Sequence, residues 1–411
     1  MISNNIYHKY LRLLEEYKKF NKYKIPLCAA ETVISDFVRT GLSSEFEGKY
    51  CMGNRNYNEN DDFIGSKYIH QLFTLVTLQC KKLFNAKYAD ARTLSGMNCM
   101  AVVISSILKR GMKVLLTTSE QGGHSSIPIL LGLNGIIFDE IPYDYLNKDI
   151  DYNQLNDILK QRKYDALIFA QSDLLIPVDV DKIIDISTPI IYDATQTFGM
   201  IASKIHKNPL NNKKNILLIG GTHKTLPGPT SGLILTNNDE FIKKLDISIG
   251  PQILRNVQPN NIASVLLSLI EIEQIGYEYE SKIVENANFL GNELVKKGLN
   301  ISKNINNNYS DTHQLFIICE NENQMNLIYN NARQYGITLN KKIKKLFDGF
   351  GIRLGLQEIT RYGWTDDDLI VLAEIIYQLT LPNPSPSIIN KINYFSNHKI
   401  NKYVFNDLIS N

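Results

Sequence analysis

What the chain has little of narrows it first. Charge of one sign is missing: 44 Lys and Arg stand against 42 Asp and Glu, a formal net charge of +2 over 411 residues. A surface balanced in this way has no basic surplus for a phosphate backbone, so nucleic acid is not an expected partner. Cysteine is scarce as well. The five cysteines, Cys28, Cys51, Cys80, Cys99 and Cys319, are scattered and lack any C-x-x-C or Cys/His metal spacing. They read as reduced thiols of a cytoplasmic protein without a metal site. No uncharged apolar run reaches the roughly 18 residues a membrane helix needs. The opening stretch MISNNIYHKYLRLLEEYKKFNKYK is charged and helical in period, without the apolar core of a signal peptide. The expectation is a protein neither secreted nor membrane-spanning.

What is present has a globular composition, 44% hydrophobic and 21% charged, and a readable period. Ile6, Tyr10, Leu13, Leu14 and Tyr17 recur at helical spacing, which predicts an amphipathic N-terminal helix packed on a larger body. From about Tyr68 the segments alternate: helix-like IHQLFTLVTLQCKKLF, strand-like YADARTL, helix-like NCMAVVISSILKR, then short apolar runs at VLLTT, IIFDEI, ALIFA, PIIYDA, ILLIGG and SGLILT. This is the signature of an α/β domain with a mainly parallel sheet. A long helical stretch from Ile262 leads to further strands at HQLFIICE and GIRLGLQ, and LPNPSPS ends the last regular helix. The expected division is an N-terminal helix and arm over 1–55, a large domain over 56–255, a linking helix with a smaller C-terminal α/β domain over 256–381, and a polar appendage over 382–411.

Chemistry concentrates in a few segments. GGTHKTLPGPTSGLILT, residues 220–236, sets His223 and Lys224 between two strand-like runs. A lysine buried in such a turn sheds its proton more readily and can form a Schiff base; taken alone, Lys224 also reads as a solvated turn lysine. Thirty-one residues earlier, PIIYDATQTFG carries Asp193 at a strand end, where parallel sheets place ligand-binding acids. A lysine that holds the ring and an acid that keeps its nitrogen protonated are what pyridoxal phosphate chemistry requires. By itself Asp193 is equally a helix N-cap. Ser95 and Gly96 precede a helix whose N-terminus can meet a phosphate, or simply cap it. His124, after a strand and a Gly-Gly turn, can lie flat on a cofactor ring or serve as an ordinary turn residue.

In order and spacing these segments resemble the serine hydroxymethyltransferase branch of fold type I pyridoxal phosphate enzymes, across about residues 24–380. LCAAE (27–31), KYCMG (49–53), THQLFI (312–317) and GITLNK (336–341) extend the match. The resemblance implies pyridoxal 5'-phosphate as cofactor and Lys224 as its Schiff-base residue, with Thr222 and His223 as neighbours. It sets Asp193 on the pyridine nitrogen, His124 on the ring, Ser95 and Gly96 on the phosphate, and Ser172 near the phenolic oxygen. Arg353 in GIRLG falls where the family binds the substrate carboxylate, a planar anion that suits a guanidinium fork. A homodimer with shared sites is implied too, Tyr50 serving the neighbour's site as a catalytic and substrate-binding group. Arg255 falls in the partner-contributed phosphate loop, as a phosphate ligand or as a surface arginine of a remodelled loop.

The departures bear on the reaction. The family's catalytic Glu aligns with Met52, its second active-site tyrosine with Phe63, and the serine before its Glu-Asn pair with Ala30. Gln196 stands where the family has His, and its amide can still bond the phenolic oxygen. Methionine has no proton to give, which counts against folate-dependent transfer unless Glu45 or Glu47 substitutes. The leading expectation is an enzyme that makes or breaks the Cα–Cβ bond of a β-hydroxy amino acid without folate, aldolase- or transaldolase-like, through a glycine quinonoid, acting on a small amino acid and an aldehyde. The alternatives are a genuine serine hydroxymethyltransferase using tetrahydrofolate; transamination, decarboxylation or β-substitution; and a silent scaffold, against which the retention of Lys224, Asp193, His124 and Arg353 together argues.

Overall fold

Alternation along short apolar strands decides the architecture of the computed structural model, which describes residues 2–53, 55, 56, 63–185, 187–212 and 215–406. The chain opens with helix α1 (Ile2–Tyr23), followed by α2 (Ser66–Phe84), strand β1 (Tyr88–Asp90) and α3 (Gly96–Ile107). Strands β2 (Lys113–Leu116), β3 (Ile137–Glu140), β4 (Ala166–Phe169), β5 (Ile190–Asp193), β6 (Ile216–His223) and β7 (Pro227–Thr236) follow. With β1 they form one seven-stranded sheet of order β1-β7-β6-β5-β4-β2-β3. The β2/β3, β2/β4, β4/β5 and β5/β6 pairs are parallel, and β7 runs antiparallel to β1 and β6.

Successive residues of a strand face opposite sides, and both sides of this sheet are covered. Leu115, Leu167, Phe169, Ile190, Tyr192, Ile216 and Leu218 pack with Leu72, Val76 and Phe84 of α2. Val114, Leu116, Ile168, Ile191, Leu217 and Ile219 pack with Met100, Val103 and Ile104 of α3. A one-residue slip would exchange the two sets, so burial at roughly 1.5–3 kcal/mol per large aliphatic residue pins the register.

Helix α4 (Pro259–Lys296) has 38 residues and Pro at its first turn, which spans ~57 Å. Its early residues Val265 and Leu269 belong to the core of the large sheet's α2 side, and its later Ala287 and Leu290 continue the same cluster toward Leu372 and Ile376. Beyond it lies a three-stranded antiparallel sheet built from β8 (Gln314–Cys319), β9 (Asn340–Lys344) and β10 (Gly349–Gly355) in the order β8-β10-β9, with helices α5 (Glu322–Tyr335) and α6 (Asp366–Leu379). The sequence pattern did not point to β9, because three of its five residues are lysines.

Two terminal features refine the expectations. Helix α1 forms as its period predicts, but it does not bury its apolar stripe on the body: Ile6, Tyr10, Leu13 and Tyr17 remain exposed. The C-terminal appendage docks on its own chain through helix α7 (Ile388–Phe395), where Phe395 stacks on Trp364 at 4.1 Å and Trp364 Nε1 donates to the His398 carbonyl at 2.8 Å. Farther on, Phe405 stacks on Phe37 at 4.3 Å and its N–H donates to Glu271 at 2.9 Å. Among the described residues no helix is long and apolar enough to cross a membrane.

Candidate active site

Parallel strands β2, β4, β5 and β6 share one carboxyl edge, and His124, Ser172, Asp193 and Lys224 follow or end them. Loops from neighbouring parallel strands are the standard place for a ligand crevice. Two of the loops are stitched together. The His124 N–H donates to the Ala170 carbonyl at 2.8 Å, and the Ser172 and Asp173 N–H groups donate to the Gly122 carbonyl at 2.7 and 3.0 Å. Gly122 sits at φ +87°, and a Cβ there would lie 2.1 Å from the Asp173 carbonyl oxygen. Only glycine fits that turn.

Lys224 stands in the tight turn of the β6–β7 hairpin, where His223 pairs with Pro227. Thr222 is fully buried and donates to the Pro229 carbonyl at 2.6 Å, and Thr225 donates to the Gln196 carbonyl at 3.0 Å, so the turn is anchored on both sides. Burial, reinforced by the charge of Arg353, lowers the Lys224 ammonium to about 8, with Asp193 and Asp173 pulling the other way. His223 is lowered to about 4 by burial and by Lys224.

Asp193 takes both bonds from Thr195 on its Oδ1: the backbone N–H at 2.9 Å and the hydroxyl. Burial raises its pKa, and the Thr195 bonds and the Lys224 and His124 charges only partly oppose that. Burial likewise lowers His124, Asp193 pulling it up and Lys224, Lys344 and Lys342 pushing it down. Its Nδ1 accepts the Ser126 N–H at 3.2 Å, which leaves the proton of the neutral ring on Nε2.

Ser95 caps α3 by accepting the Asn98 N–H at 3.2 Å. The next N–H groups, of Gly96 and Met97, lie in the first turn and have no intrahelical partner. The helix start lies against β6: a Cβ on Gly96 would stand 2.8 Å from the Gly221 nitrogen. Ser172 and Gln196 are joined through Gln314 of β8, whose Nε2 donates to the Ser172 carbonyl at 3.0 Å and to Gln196 Oε1 at 3.1 Å.

Arg353 reaches this group from β10, but its fork is engaged. Nη1 donates to Asp173 Oδ1 at 2.7 Å and to the Ser172 carbonyl at 2.9 Å, Nη2 donates to Asn340 Oδ1 at 2.7 Å, and the buried Nε has no partner among the described residues. Lys342 and Lys344 of β9 also reach Asp173, at 2.9 and 2.6 Å. Asp173, Lys342 and Lys344 are the residues sequence reasoning passed over. The available signal was the alternation of Asn340, Lys342 and Lys344, which a strand places on one face.

Tyr50 and Arg255 lie away from the strand ends. Tyr50 is exposed with its ring 4.4 Å from Phe63, Met52 bridges Asn256, and the Gly53 N–H donates to the carbonyl of the exposed Arg255 at 3.1 Å. One surface patch therefore holds Tyr50, Met52 and Arg255 together. Glu47 near it accepts a bond from Asn260, and Glu45 is exposed.

A lysine with a lowered pKa in a hairpin turn, an acid at the end of the neighbouring strand on the same edge, a neutral imidazole and an open helix N-terminus fit the amine, ring and phosphate demands of pyridoxal 5'-phosphate. Fold and site together define a pyridoxal phosphate-dependent enzyme of fold type I. The protein-family model described as serine hydroxymethyltransferase matches residues 5–376. The chain belongs to the serine hydroxymethyltransferase family. It is 29% identical over 374 residues to the serine hydroxymethyltransferase of Picrophilus torridus, covering 88% of this chain and 85% of that one. The enzyme of the same name from Pyrococcus furiosus is 27% identical over 404 residues, 94% and 93% of the two chains. Among solved structures, an L-threonine transaldolase from Pseudomonas fluorescens superposes with a TM-score of 0.89 over 99% of this chain and 97% of its own, at 21% identity.

Proposed function

We propose that this enzyme makes or breaks the Cα–Cβ bond of a β-hydroxy amino acid without folate, in the manner of an aldolase or transaldolase. Met52 carries the reading: where the family resemblance calls for a proton-donating Glu, this chain has a thioether, which neither donates nor relays a proton. Phe63, 4.4 Å from Tyr50, likewise brings no hydroxyl, and the bond to Asn260 holds Glu47 on the surface.

When bound, pyridoxal phosphate supplies the sink for the electron pair left on Cα. Lys224, whose ammonium burial lowers to about 8, would hold it through its free amine. Asp193 would hold a proton at the pyridine nitrogen, His124 would meet the ring as a neutral imidazole, Ser172 and Gln196 would serve the phenolic oxygen, and Ser95 with Gly96 would take the phosphate. Arg353 orients the substrate carboxylate. Cleavage then removes the β-hydroxyl proton to a base such as Tyr50 or a water, breaks Cα–Cβ, releases an aldehyde and returns one proton to Cα to give glycine.

The exposed Tyr50–Met52–Arg255 patch and the uncovered stripe of α1 support a homodimer in which Tyr50 and Arg255 complete the partner's site. Folate-dependent transfer is the second reading, favoured by the family name and the long alignments to its relatives. Serine and threonine turnover with and without tetrahydrofolate separates the two. Folate-independent cleavage of threonine or another β-hydroxy amino acid is expected, with little stimulation of serine turnover; strong folate dependence would replace the first reading by the second.

A further inference from the structure

Asp173 has more cations than it needs. The carboxylate is fully buried, and Arg353 Nη1 and Lys342 Nζ meet its Oδ1 at 2.7 and 2.9 Å while Lys344 Nζ meets its Oδ2 at 2.6 Å. One negative charge against three positive ones leaves an excess of two in a largely desolvated place, where unbalanced charge is costly. The spare donors are also visible. An ammonium carries three N–H bonds, and each lysine spends its contact on Asp173. Arg353 Nε is buried without a partner among the described residues.

The lysines remain within reach of the cleft. Their side chains keep 16% and 14% of their surface exposed, and both push down the pKa of His124 across the site. Strand alternation sets Asn340, Lys342 and Lys344 on one face of β9, while Lys341 turns outward to Asn326. Opposite the two lysines in register stand Gly351 and Gly349 of β10, which put no side chain beside the ammonium stems.

Resting on the reading of the site given above, we infer that Lys342 and Lys344 form a subsite for a second anionic group on the substrate. That group is a carboxylate or phosphate on the β-substituent, or on the aldehyde that accepts the glycyl unit. Asp173 holds the cations together until that anion arrives. In the synthetic direction the glycine Cα loses a proton, Cα–Cβ forms, and the aldehyde oxygen gains a proton; the distal anion takes part only by binding.

The test uses the full-length holoenzyme and reads binding as well as turnover. Titration of cofactor absorbance with β-hydroxyaspartate and with threonine should give at least a tenfold tighter Kd for the dianion, and the ratio should fall toward one in Lys342→Met with Lys344→Met. Asp173→Asn, which keeps the lysines and frees them, should widen the ratio; a carboxylate that serves only to latch the two domains would leave it unchanged or narrow it. With glycine as donor, glyoxylate, glycolaldehyde phosphate and acetaldehyde then distinguish carboxylate, phosphate and neutral acceptors by kcat/KM. Equal Kd values for β-hydroxyaspartate and threonine in the unaltered enzyme would overturn the subsite. Absence of turnover with every donor and acceptor would overturn the aldolase reading, and the binding ratio would still judge the subsite by itself.

Discussion

Two carboxylates on the same edge of the sheet are held in opposite ways. Asp193, at the end of β5, takes its side-chain bonds among the described residues from Thr195, and burial raises its pKa. Asp173, in the loop after β4, feels the same upward push from burial, yet Arg353, Lys342 and Lys344 overcome it and hold the acid at about 2. The difference separates two kinds of work. Burial leaves Asp193 easier to protonate than a free carboxylate, whereas the surrounding cations keep Asp173 ionised. The strand-end floor, with Lys224 lowered to about 8 and Asp193 raised, carries groups whose charged forms burial disfavours. The wall formed by the three-stranded sheet carries fixed charge.

The comparison is broken most sharply at Lys224. Lys224→Ala should abolish the borohydride-reducible chromophore and all turnover, and a chromophore that survives the change would move the attachment site elsewhere. Asp193→Asn should keep the cofactor bound while glycine α-proton exchange falls by about a hundredfold or more, since an amide cannot keep the ring nitrogen protonated. Exchange at the unaltered rate, followed by NMR in deuterated water, would remove Asp193 from the floor.

The wall should respond in affinity, with cofactor occupancy intact. Arg353→Lys keeps the charge on Asp173 but loses the planar fork, so amino-acid binding should weaken by about tenfold, or ~1.4 kcal/mol. Unchanged affinity in a spectral titration would mean that another group binds the carboxylate. The smallest effect is on pH. A lysine whose pKa is depressed gains free amine as pH rises, so cofactor uptake by the apoprotein should climb and level off above about 8. Arg353→Leu removes a neighbouring cation, so the plateau should move upward by roughly one unit or less. A rate flat from about pH 6 to about pH 9 would contradict the buried amine.

Much of this floor was legible along the chain. Apolar runs bounded by turn residues predicted the strands, and a polar residue where such a run stops marked Asp193 and Lys224, because backbone alternation and chain reversal are local properties. The motif THKTLPGPTSGLIL carried the lysine's neighbours with it, and Ser95 announced its helix start. The stripe on α1 was read correctly as helical and incorrectly as covered, since periodicity specifies a face and says nothing of what meets it.

The wall lay beyond that reading. Lys342 and Lys344 belong to a run of lysines that looks solvated in sequence, and Asp173 is 169 residues before the nearer of them. Only the packing of the β8-β10-β9 sheet against the loop after β4 turns three cations onto one carboxylate. By itself the sequence determined the parallel strands, the residues at their ends and the cofactor those residues suit, because each depends on neighbours within a few positions. The tertiary structure alone decided which charges neutralise one another, because Coulomb energy depends on distance and burial and not on separation along the chain.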